Sequence, residues 1–373
     1  MILKEQNGSL TKLDKNLQIE NVMTDGIMWT SPLYSPYEIN GFPWFSTDKT
    51  YRRLPIQPNV KIPEAVDHLA NCTAGGQIRF QTDATKLLLR VKMKGRAYMS
   101  HMAAVGQCGF DCYFGTPGNQ QFVNGGIFEL LQDEYEVTIF EREENNIISI
   151  TLNFPLYQGV ELVEIGINHS ASIIKPLPYN SSKKVIFYGT SITQGGCASR
   201  PGLAYTNILS RRINLEFMNL GFSGNGKGEA EMAELISEIE NPACLVLDYE
   251  PNCVSTELYK QTLPKFITTY RMVHPYVPIL VVSKFPYGKE RLNNQLQVDR
   301  LERLAFQKEL IAILQKQGDG NIFFLEGTDI LGEYWDDCTA DGVHPNDYGF
   351  MLIANKMEPI IKEILNYSTN AKG

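Results

Sequence analysis

The sequence predicts two domains, a β-sandwich in the first half of the chain and a doubly wound α/β domain in the second half. The chain has 373 residues, which suits two or three domains at about 150 residues each. Several runs in the first half alternate apolar and polar residues, a pattern that indicates strands with one buried face. Short apolar runs in the second half alternate with helical patterns. Such runs are typical of parallel strands that are covered on both sides.

The composition excludes several classes of protein. Hydrophobic residues make up 43% of the chain and charged residues 20%, which rules out a disordered chain. The net charge of −8 argues against non-specific nucleic-acid binding, because that requires clustered cations. No apolar run approaches the roughly 20 residues that cross a bilayer, and the first residues lack the apolar segment of a secretory signal. Together with seven scattered cysteines, these features predict a reduced, cytoplasmic protein without a membrane partner.

The first half is predicted to consist of strands and to hold no convincing helix. Residues 78–82, 87–94 and 148–154 alternate apolar and polar side chains, and turn-forming Gly and Pro residues separate them. Many short strands with such turns favour a β-sandwich.

The second half is predicted to be a series of βαβ units. Apolar strands are expected at residues 184–188, 245–248, 279–283 and 322–325, and helices at residues 229–240, 298–317 and 347–365. Alternation of this kind indicates a doubly wound α/β domain. The Pro-, Asn- and Ser-containing segment 175–184 is predicted to be the linker. We therefore place the first domain at residues 1–176 and the second at residues 183–370.

Chemically useful residues follow the predicted parallel strands. Ser191 follows the first strand, a glycine-rich stretch at 219–226 the second, and Asn252 the third, while Asp341 and His344 precede the last helix. The carboxyl ends of such strands form the ligand site of an open α/β sheet, so these side chains are predicted to converge. A serine nucleophile needs a base, the base needs a carboxylate, and the oxyanion needs fixed N–H donors. The set is the one that acyl transfer requires.

These segments resemble the sequence blocks of the SGNH (GDSL-type) hydrolases. Gly189-Thr-Ser-Ile resembles the first block, Asn219-Leu-Gly-Phe-Ser-Gly224 the second, Asn252 the third and Asp341-Gly-Val-His344-Pro the last. The blocks occur in the family's order over residues 183–366. The first half, more loosely, is similar to the N-terminal jelly-roll domain of two-domain bacterial SGNH esterases.

The resemblance implies a role for each matched residue. Ser191 would be the nucleophile, His344 the general base and Asp341 its partner. The backbone N–H groups of Ser191 and Gly224 and the amide of Asn252 would bind the oxyanion. No metal and no organic cofactor is implied. The implied fold is a flavodoxin-like parallel sheet preceded by an all-β jelly-roll sandwich.

Two positions depart from the family pattern. Thr190 stands where the family usually has Asp, whose side chain is not catalytic. The third block reads Glu250-Pro-Asn-Cys253 instead of Gly-X-Asn-Asp, so the loop around Asn252 is expected to differ. Some two-domain relatives that act on acetylated sugars use a Ser/His dyad, but the presence of Asp341 favours a full triad here.

The function implied is that of a serine esterase for small acyl esters, with acetyl esters of a sugar or another polar alcohol as the favoured substrates. Two alternatives stay open: an acyltransferase with the same triad, and a non-catalytic carbohydrate-binding protein. Arg200 is a secondary candidate for contact with a polar substrate. Trp335 could line the pocket or pack in the core. His101, in β-rich sequence, is interpreted as a surface or core residue.

Overall fold

The computed structural model describes residues 22–24 and 26–370, with side chains described over residues 26–366. Antiparallel sheets lie between Val22 and Ile174, and a parallel sheet begins at Lys184. The predicted fold class is thereby confirmed. The domain boundary that we predict lies in the segment that joins these two strands, and it stays a prediction. None of the described helices is both long and apolar enough to cross a bilayer.

The N-terminal domain consists of two antiparallel sheets. The first has the order β1-β2-β10-β5-β8, and the second has the order β11-β4-β9-β6-β7, with β3 also paired to β4. The strands are β1 (Val22–Thr24), β2 (Ile27–Thr30), β3 (Glu38–Asn40), β4 (Gln77–Thr82), β5 (Lys86–Met93), β6 (Asp111–Thr116), β7 (Asn119–Gly125), β8 (Glu134–Glu141), β9 (Ile148–Asn153), β10 (Val160–Asn168) and β11 (Ile173–Ile174).

One apolar core joins the two sheets. Phe80 of β4 and Leu152 of β9 belong to the same buried cluster as Leu89 of β5 and Ile165 of β10. Because these strands alternate their side chains between two faces, each sheet contributes its apolar face to this core. The arrangement is a sandwich, as the alternating runs predict.

The prediction that the first half holds no helix is wrong. Among the described residues of this half, three short helices interrupt the strands: α1 (Phe45–Asp48), α2 (Glu64–Leu69) and α3 (Ala104–Cys108). Each has four to six residues, which is less than two turns. Segments so short cannot display a helical period, so the sequence pattern carries no signal for them.

The second domain has a five-stranded parallel sheet. Its order is β13-β12-β14-β15-β16, which is the 2-1-3-4-5 order of flavodoxin-like sheets. The strands are β12 (Lys184–Gly189), β13 (Glu216–Gly221), β14 (Pro242–Asp248), β15 (Ile279–Val282) and β16 (Ile322–Leu325). The helices are α4 (Ser191–Gln194), α5 (Tyr205–Ser210), α6 (Ala230–Ser237), α7 (Thr256–Val273), α8 (Asn294–Lys316) and α9 (Asp347–Asn370).

Helices cover both faces of this sheet. Val185 and Phe187 of β12 point into the core that holds α5 and α9. Ile186 and Tyr188 point into the opposite core, with α6, α7 and α8. Burial on both faces explains why the strands are continuous apolar runs.

Helix α7 is the largest element that the sequence analysis omits. Pro264 lies inside it, and a proline is normally a signal that a helix has ended. The buried residues Tyr259, Leu263, Phe266 and Tyr270 nevertheless recur at helical spacing. Packing of this face against the sheet therefore outweighs the local cost of the proline.

The two domains pack against each other through apolar surface. Val66 and Ala70, from the segment containing α2, belong to one core of the α/β domain, and Met102 and Leu156 belong to the other. The N-terminal domain thus contacts both faces of the parallel sheet.

Candidate active site

Ser191 is placed at the carboxyl end of β12, the central switch point of the sheet. The strand ends at Gly189, and α4 begins at Ser191. Thr190 caps this helix, because its side-chain oxygen accepts a hydrogen bond from the backbone N–H of Ile192 at 3.1 Å. The threonine that departs from the family pattern therefore has a local structural function.

Gly196 lets the base approach the nucleophile closely. A Cβ atom on Gly196 would lie 2.7 Å from the hydroxyl of Tyr157 and 3.2 Å from Cδ2 of His344. The Tyr157 hydroxyl in turn donates to the backbone carbonyl of Ser191 at 3.2 Å. A tyrosine of the N-terminal domain therefore contacts the segment that carries the nucleophile.

Ser191, His344 and Asp341 form one chain of hydrogen bonds. The Ser191 Oγ lies 2.9 Å from Nε2 of His344, and Nδ1 of His344 lies 2.8 Å from Oδ2 of Asp341. Since an ionised carboxylate only accepts, Nδ1 carries the proton and Nε2 presents its lone pair to Ser191. This is the tautomer that a general base requires.

The carboxylate of Asp341 is held by the turn that carries it. Its Oδ1 accepts the backbone N–H groups of Val343 at 3.0 Å and His344 at 2.8 Å. Partial burial alone would raise the pKa of Asp341, but the hydrogen bonds from the backbone and the ring of His344 lower it below the ordinary value. Asp341 is therefore ionised at neutral pH and oriented towards the imidazole.

Two backbone N–H groups are available as oxyanion donors. No hydrogen bond within the described part of the chain uses the N–H of Ser191 or of Gly224. The neighbouring N–H of Ser223 is occupied, because it donates to Oε1 of Gln194 at 3.0 Å. Gly224 has a φ of 64°, in the left-handed region that favours glycine.

Asn252 is not placed as a free donor. Its Nδ2 donates to the carbonyl of Phe222 at 3.0 Å and also to the carbonyl of Asn225. Both amide hydrogens are thus directed to the loop that carries Gly224. The structure shows Asn252 binding this loop, and its direct contact with an oxyanion stays a prediction.

Two family profiles match different parts of the chain, and together they cover most of its length. The profile of the GDSL-like lipase/acylhydrolase family matches residues 182–362, and that of the N-terminus of SGNH-hydrolase-type esterases matches residues 27–173. The α/β domain of this protein belongs to the GDSL-like lipase/acylhydrolase family. It is a hydrolase of the SGNH esterase type, and the recognition made from the sequence blocks is confirmed.

Solved structures that align with more than nine-tenths of the chain are similar to this hydrolase. A Bacteroides ovatus protein assigned as a GDSL-like lipase is 29% identical, with a TM-score of 0.83 over 91% of this chain and 98% of that one. A salicylyl-acyltransferase from a tetracycline biosynthetic pathway is 17% identical, with a TM-score of 0.72 over 92% and 98%. An acetyl xylan esterase from Butyrivibrio proteoclasticus is 14% identical, with a TM-score of 0.55 over 91% and 99%. Among curated proteins, none matches the sequence significantly.

The two secondary candidates of the hydrolase have structural partners. Arg200 forms an ion pair of 2.8 Å with the fully buried Asp111 and lies over the ring of Phe122 at 3.6 Å. Trp335 packs against the core beside α9 and lies under the guanidinium of Arg291 at 4.9 Å. Arg200 therefore joins the two domains. Trp335, predicted either to line the pocket or to pack in the core, packs against the core.

The cleft next to His344 is built mainly by the N-terminal domain. It has a volume of about 1070 Å³. The α/β domain contributes Gly196, Ser223, Asn225 and His344, and the N-terminal domain contributes the ten other lining residues: Glu64, Ala65, His68, Leu69, Cys72, Tyr98, Met99, His101, Tyr157 and Gln158.

The sequence analysis predicts no functional role for any of the ten residues that the N-terminal domain contributes to this cleft wall, and His101, interpreted there as a surface or core residue, is one of them. Its ring centre lies 6.2 Å from that of His344, and it is exposed in the segment before α3. No local motif marks it, because its proximity to His344 depends on how the domains pack. Its rarity, as one of five histidines, was the only available signal.

His344 and two neighbouring side chains could together hold a metal ion. One ligand atom each of His101, Cys197 and His344 lies within 4.8 Å of the others. Cys197 is a free thiol, and burial together with the carboxylate of Asp341 raises its pKa to about 12.

Proposed function

We propose that this hydrolase is a serine esterase that cleaves small acyl esters of a sugar or another polar alcohol through an acyl-enzyme. The observation that carries the proposal is the unbroken hydrogen-bond chain from Ser191 through His344 to Asp341. Each heteroatom in this chain has the partner that a nucleophile, base and orienting carboxylate require.

In the first half of the reaction, Ser191 Oγ attacks the ester carbonyl while Nε2 of His344 takes its proton. The N–H groups of Ser191 and Gly224 donate to the oxyanion, and the carboxylate of Asp341 stabilises the imidazolium. Collapse of the tetrahedral intermediate breaks the bond to the alkoxy group, and His344 protonates the departing alcohol. The acyl group remains on Ser191.

In the second half, a water molecule gives a proton to Nε2 of His344 and attacks the acyl carbonyl. The same donors bind the second oxyanion, and collapse returns the proton from His344 to Oγ of Ser191. The carboxylic acid leaves, and no metal or organic cofactor takes part in these steps.

The preference for a polar alcohol is supported by the cleft. Glu64, His68, Tyr98, His101 and Gln158 place hydrogen-bonding groups along the wall contributed by the N-terminal domain. Tyr98 is 72% exposed, so its ring is available to pack against a sugar. The similarity to an acetyl xylan esterase agrees with this preference.

Covalent labelling with a fluorophosphonate tests the proposal. The wild-type protein should gain one adduct on Ser191 by intact mass and peptide mapping, and Ser191→Ala should gain none. Absence of labelling in a folded wild-type protein would instead support a non-catalytic binding protein.

A panel of substrates tests the ester class. Aryl esters with acyl chains of two to eight carbons should be cleaved fastest at two, and acetylated sugars should release acetate. Transfer of the acyl group to an added alcohol in preference to water would identify an acyltransferase instead. A preference for long chains would contradict the proposed acyl size.

A further inference from the structure

We propose that His101, Cys197 and His344 form a zinc site at the domain junction, and that zinc bound there reversibly switches the esterase off. The site draws its ligands from both domains, since His101 comes from the sandwich and the other two from the α/β domain. The inhibitory consequence rests on the proposed function, but the binding of the ion does not.

The ligand set suits zinc. Imidazole nitrogen and thiolate sulfur are its usual protein ligands, with three protein ligands leaving a fourth position for water. At bond lengths of about 2.0–2.3 Å, neighbouring ligand atoms of a tetrahedral site are about 3.3–3.8 Å apart. The three ligand atoms lie within 4.8 Å of one another. Rotation of the exposed His101 side chain would shorten its own distances to the other two ligand atoms.

The ring of His344 is already prepared as a metal ligand. Its Nδ1–H donates to Asp341 at 2.8 Å, and a metal-bound imidazole typically makes this same bond to a carboxylate. The bond fixes the tautomer whose Nε2 lone pair is available. That lone pair is also the one that takes the proton of Ser191, so the ion and the serine compete for a single atom.

The cleft gives a cation access to the ligands. His101 and His344 line it, and its described lining residues include the carboxylate of Glu64 and neither Lys nor Arg.

Cys197 follows the lining residue Gly196 and has a φ of 76°, which is unusual for a residue other than glycine. Coordination replaces the S–H proton with zinc and releases that proton to solvent.

Cadmium binding tests the site without any assay of activity. Cd²⁺ added to Ser191→Ala should produce the ultraviolet absorption of a cadmium–thiolate bond with one ion per chain. This variant lacks the hydroxyl that competes for Nε2, so it should bind at least as tightly as wild type. Adding Cys197→Ser should abolish the band, and adding His101→Ala should weaken binding by at least about tenfold, because even changes outside the ligand shell cost about 10–100-fold.

Zinc inhibition tests the consequence. Zn²⁺ should inhibit wild-type ester hydrolysis, and a chelator should restore it. Cys197→Ser and His101→Ala, each measured against its own metal-free rate, should need at least about ten times more zinc. His68→Ala changes a histidine of the same cleft outside the cluster, and, measured against its own metal-free rate, it should show the zinc sensitivity of wild type.

Equal zinc sensitivity in wild type, Cys197→Ser and His101→Ala would overturn the proposal, as would the absence of a cadmium–thiolate band. A wild-type protein that cleaves no ester yet shows the band would refute the proposed function and leave the metal site standing. The two failures are therefore distinguishable.

Discussion

Three acidic residues near the base differ in what their side chains contact. Asp341 accepts the ring Nδ1–H of His344 and two backbone N–H groups. Asp336 instead pairs with Arg291 at 2.9 Å, and Asp337 is exposed. Proximity in sequence to His344 is therefore not what gives a carboxylate a role in catalysis.

Asp341→Asn should lower kcat/KM by about 10⁴, because an amide in this position favours the wrong imidazole tautomer. Asp337→Asn is the matched control and should stay within about twofold, since surface changes are usually near neutral. Ester hydrolysis and thermal denaturation of both variants measure this. Equal effects of the two substitutions would favour a Ser/His dyad.

Asn252 links two loops at the edge of the sheet. Asn252→Ala should lower turnover by about 10²–10³, the typical effect of losing an oxyanion donor. It should also destabilise the protein by about 1–3 kcal/mol, because the carbonyls of Phe222 and Asn225 lose their donor. Kinetics and urea denaturation separate these effects. Full activity would contradict both a direct and a positioning role.

Asp248 lies half-buried beneath α4 and accepts hydrogen bonds from Tyr205 at 2.7 Å and Thr193 at 3.2 Å. Burial raises its pKa to about 7, above the value of about 3.9 in an unfolded chain. Between these values the folded state binds the extra proton, so this residue's contribution to stability is present at low pH and is lost as pH rises towards 7.

Asp248→Asn should remove this pH dependence, because the amide is neutral throughout and its oxygen still accepts from Tyr205. The free energy of unfolding of the variant, relative to wild type, should rise between pH 5 and pH 7.5 by about 1–3 kcal/mol. Chemical denaturation at several pH values measures this. A difference that stays constant with pH would contradict a raised pKa.

At the scale of elements, the close contact between the α4 segment and the loop of His344 depends on Gly196. Gly196→Ala would place a Cβ 3.2 Å from Cδ2 of His344 and displace the ring from Ser191. A misplacement of about 1 Å can cost about 10²-fold in rate, so kcat should fall by about that factor.

The matched control is Gly320→Ala. A Cβ on Gly320 would meet nothing within 4 Å, and its φ lies outside the left-handed region. This variant should keep wild-type activity and stability. A wild-type rate in Gly196→Ala would show that the ring of His344 moves without loss of its contact with Ser191.

At the scale of the whole molecule, Arg53 binds the two domains together. Its buried guanidinium donates to the carbonyls of Cys72 and Leu69 at 2.7 Å each in the N-terminal domain. It also donates to the carbonyls of Asn219, at 3.3 Å, and of Gly221 at the end of β13. The loop that carries Gly224 begins at the end of β13. Arg53 therefore stabilises both the domain interface and the loop with the oxyanion donor.

Arg53→Met should lower the unfolding free energy by at least about 2–3 kcal/mol, because several buried carbonyls lose a charged donor. The remaining folded protein should have reduced kcat, since the loop of Gly224 loses its anchor. Arg96→Met is the control: its side chain is 57% exposed and lies 3.7 Å from Asp133, so stability should change by less than about 1 kcal/mol. Equal stability of the two variants would contradict the role of Arg53.

The amino-acid sequence alone was enough to predict the fold class and the positions of the candidate catalytic residues. Alternating runs predict the sandwich, apolar runs predict the parallel sheet, and Ser191, Asp341 and His344 stand in recognisable blocks. These features are readable because a strand period or a three-residue Asp-to-His spacing is a property of residues close together in the sequence. The sequence did not predict the helices shorter than two turns, because their patterns are too short to show a period. It did not predict α7, because the proline inside that helix normally signals a helix end.

Only tertiary packing decided which distant groups meet. Three features depend on how the elements pack through their apolar interfaces. They are the approach of His101 and Cys197 to His344, the cleft wall of the N-terminal domain, and the direction of the Asn252 amide hydrogens. Contacts of this kind join segments that are far apart in the chain, and their geometry follows from the shapes of the buried surfaces between them. No periodicity along the sequence encodes that geometry.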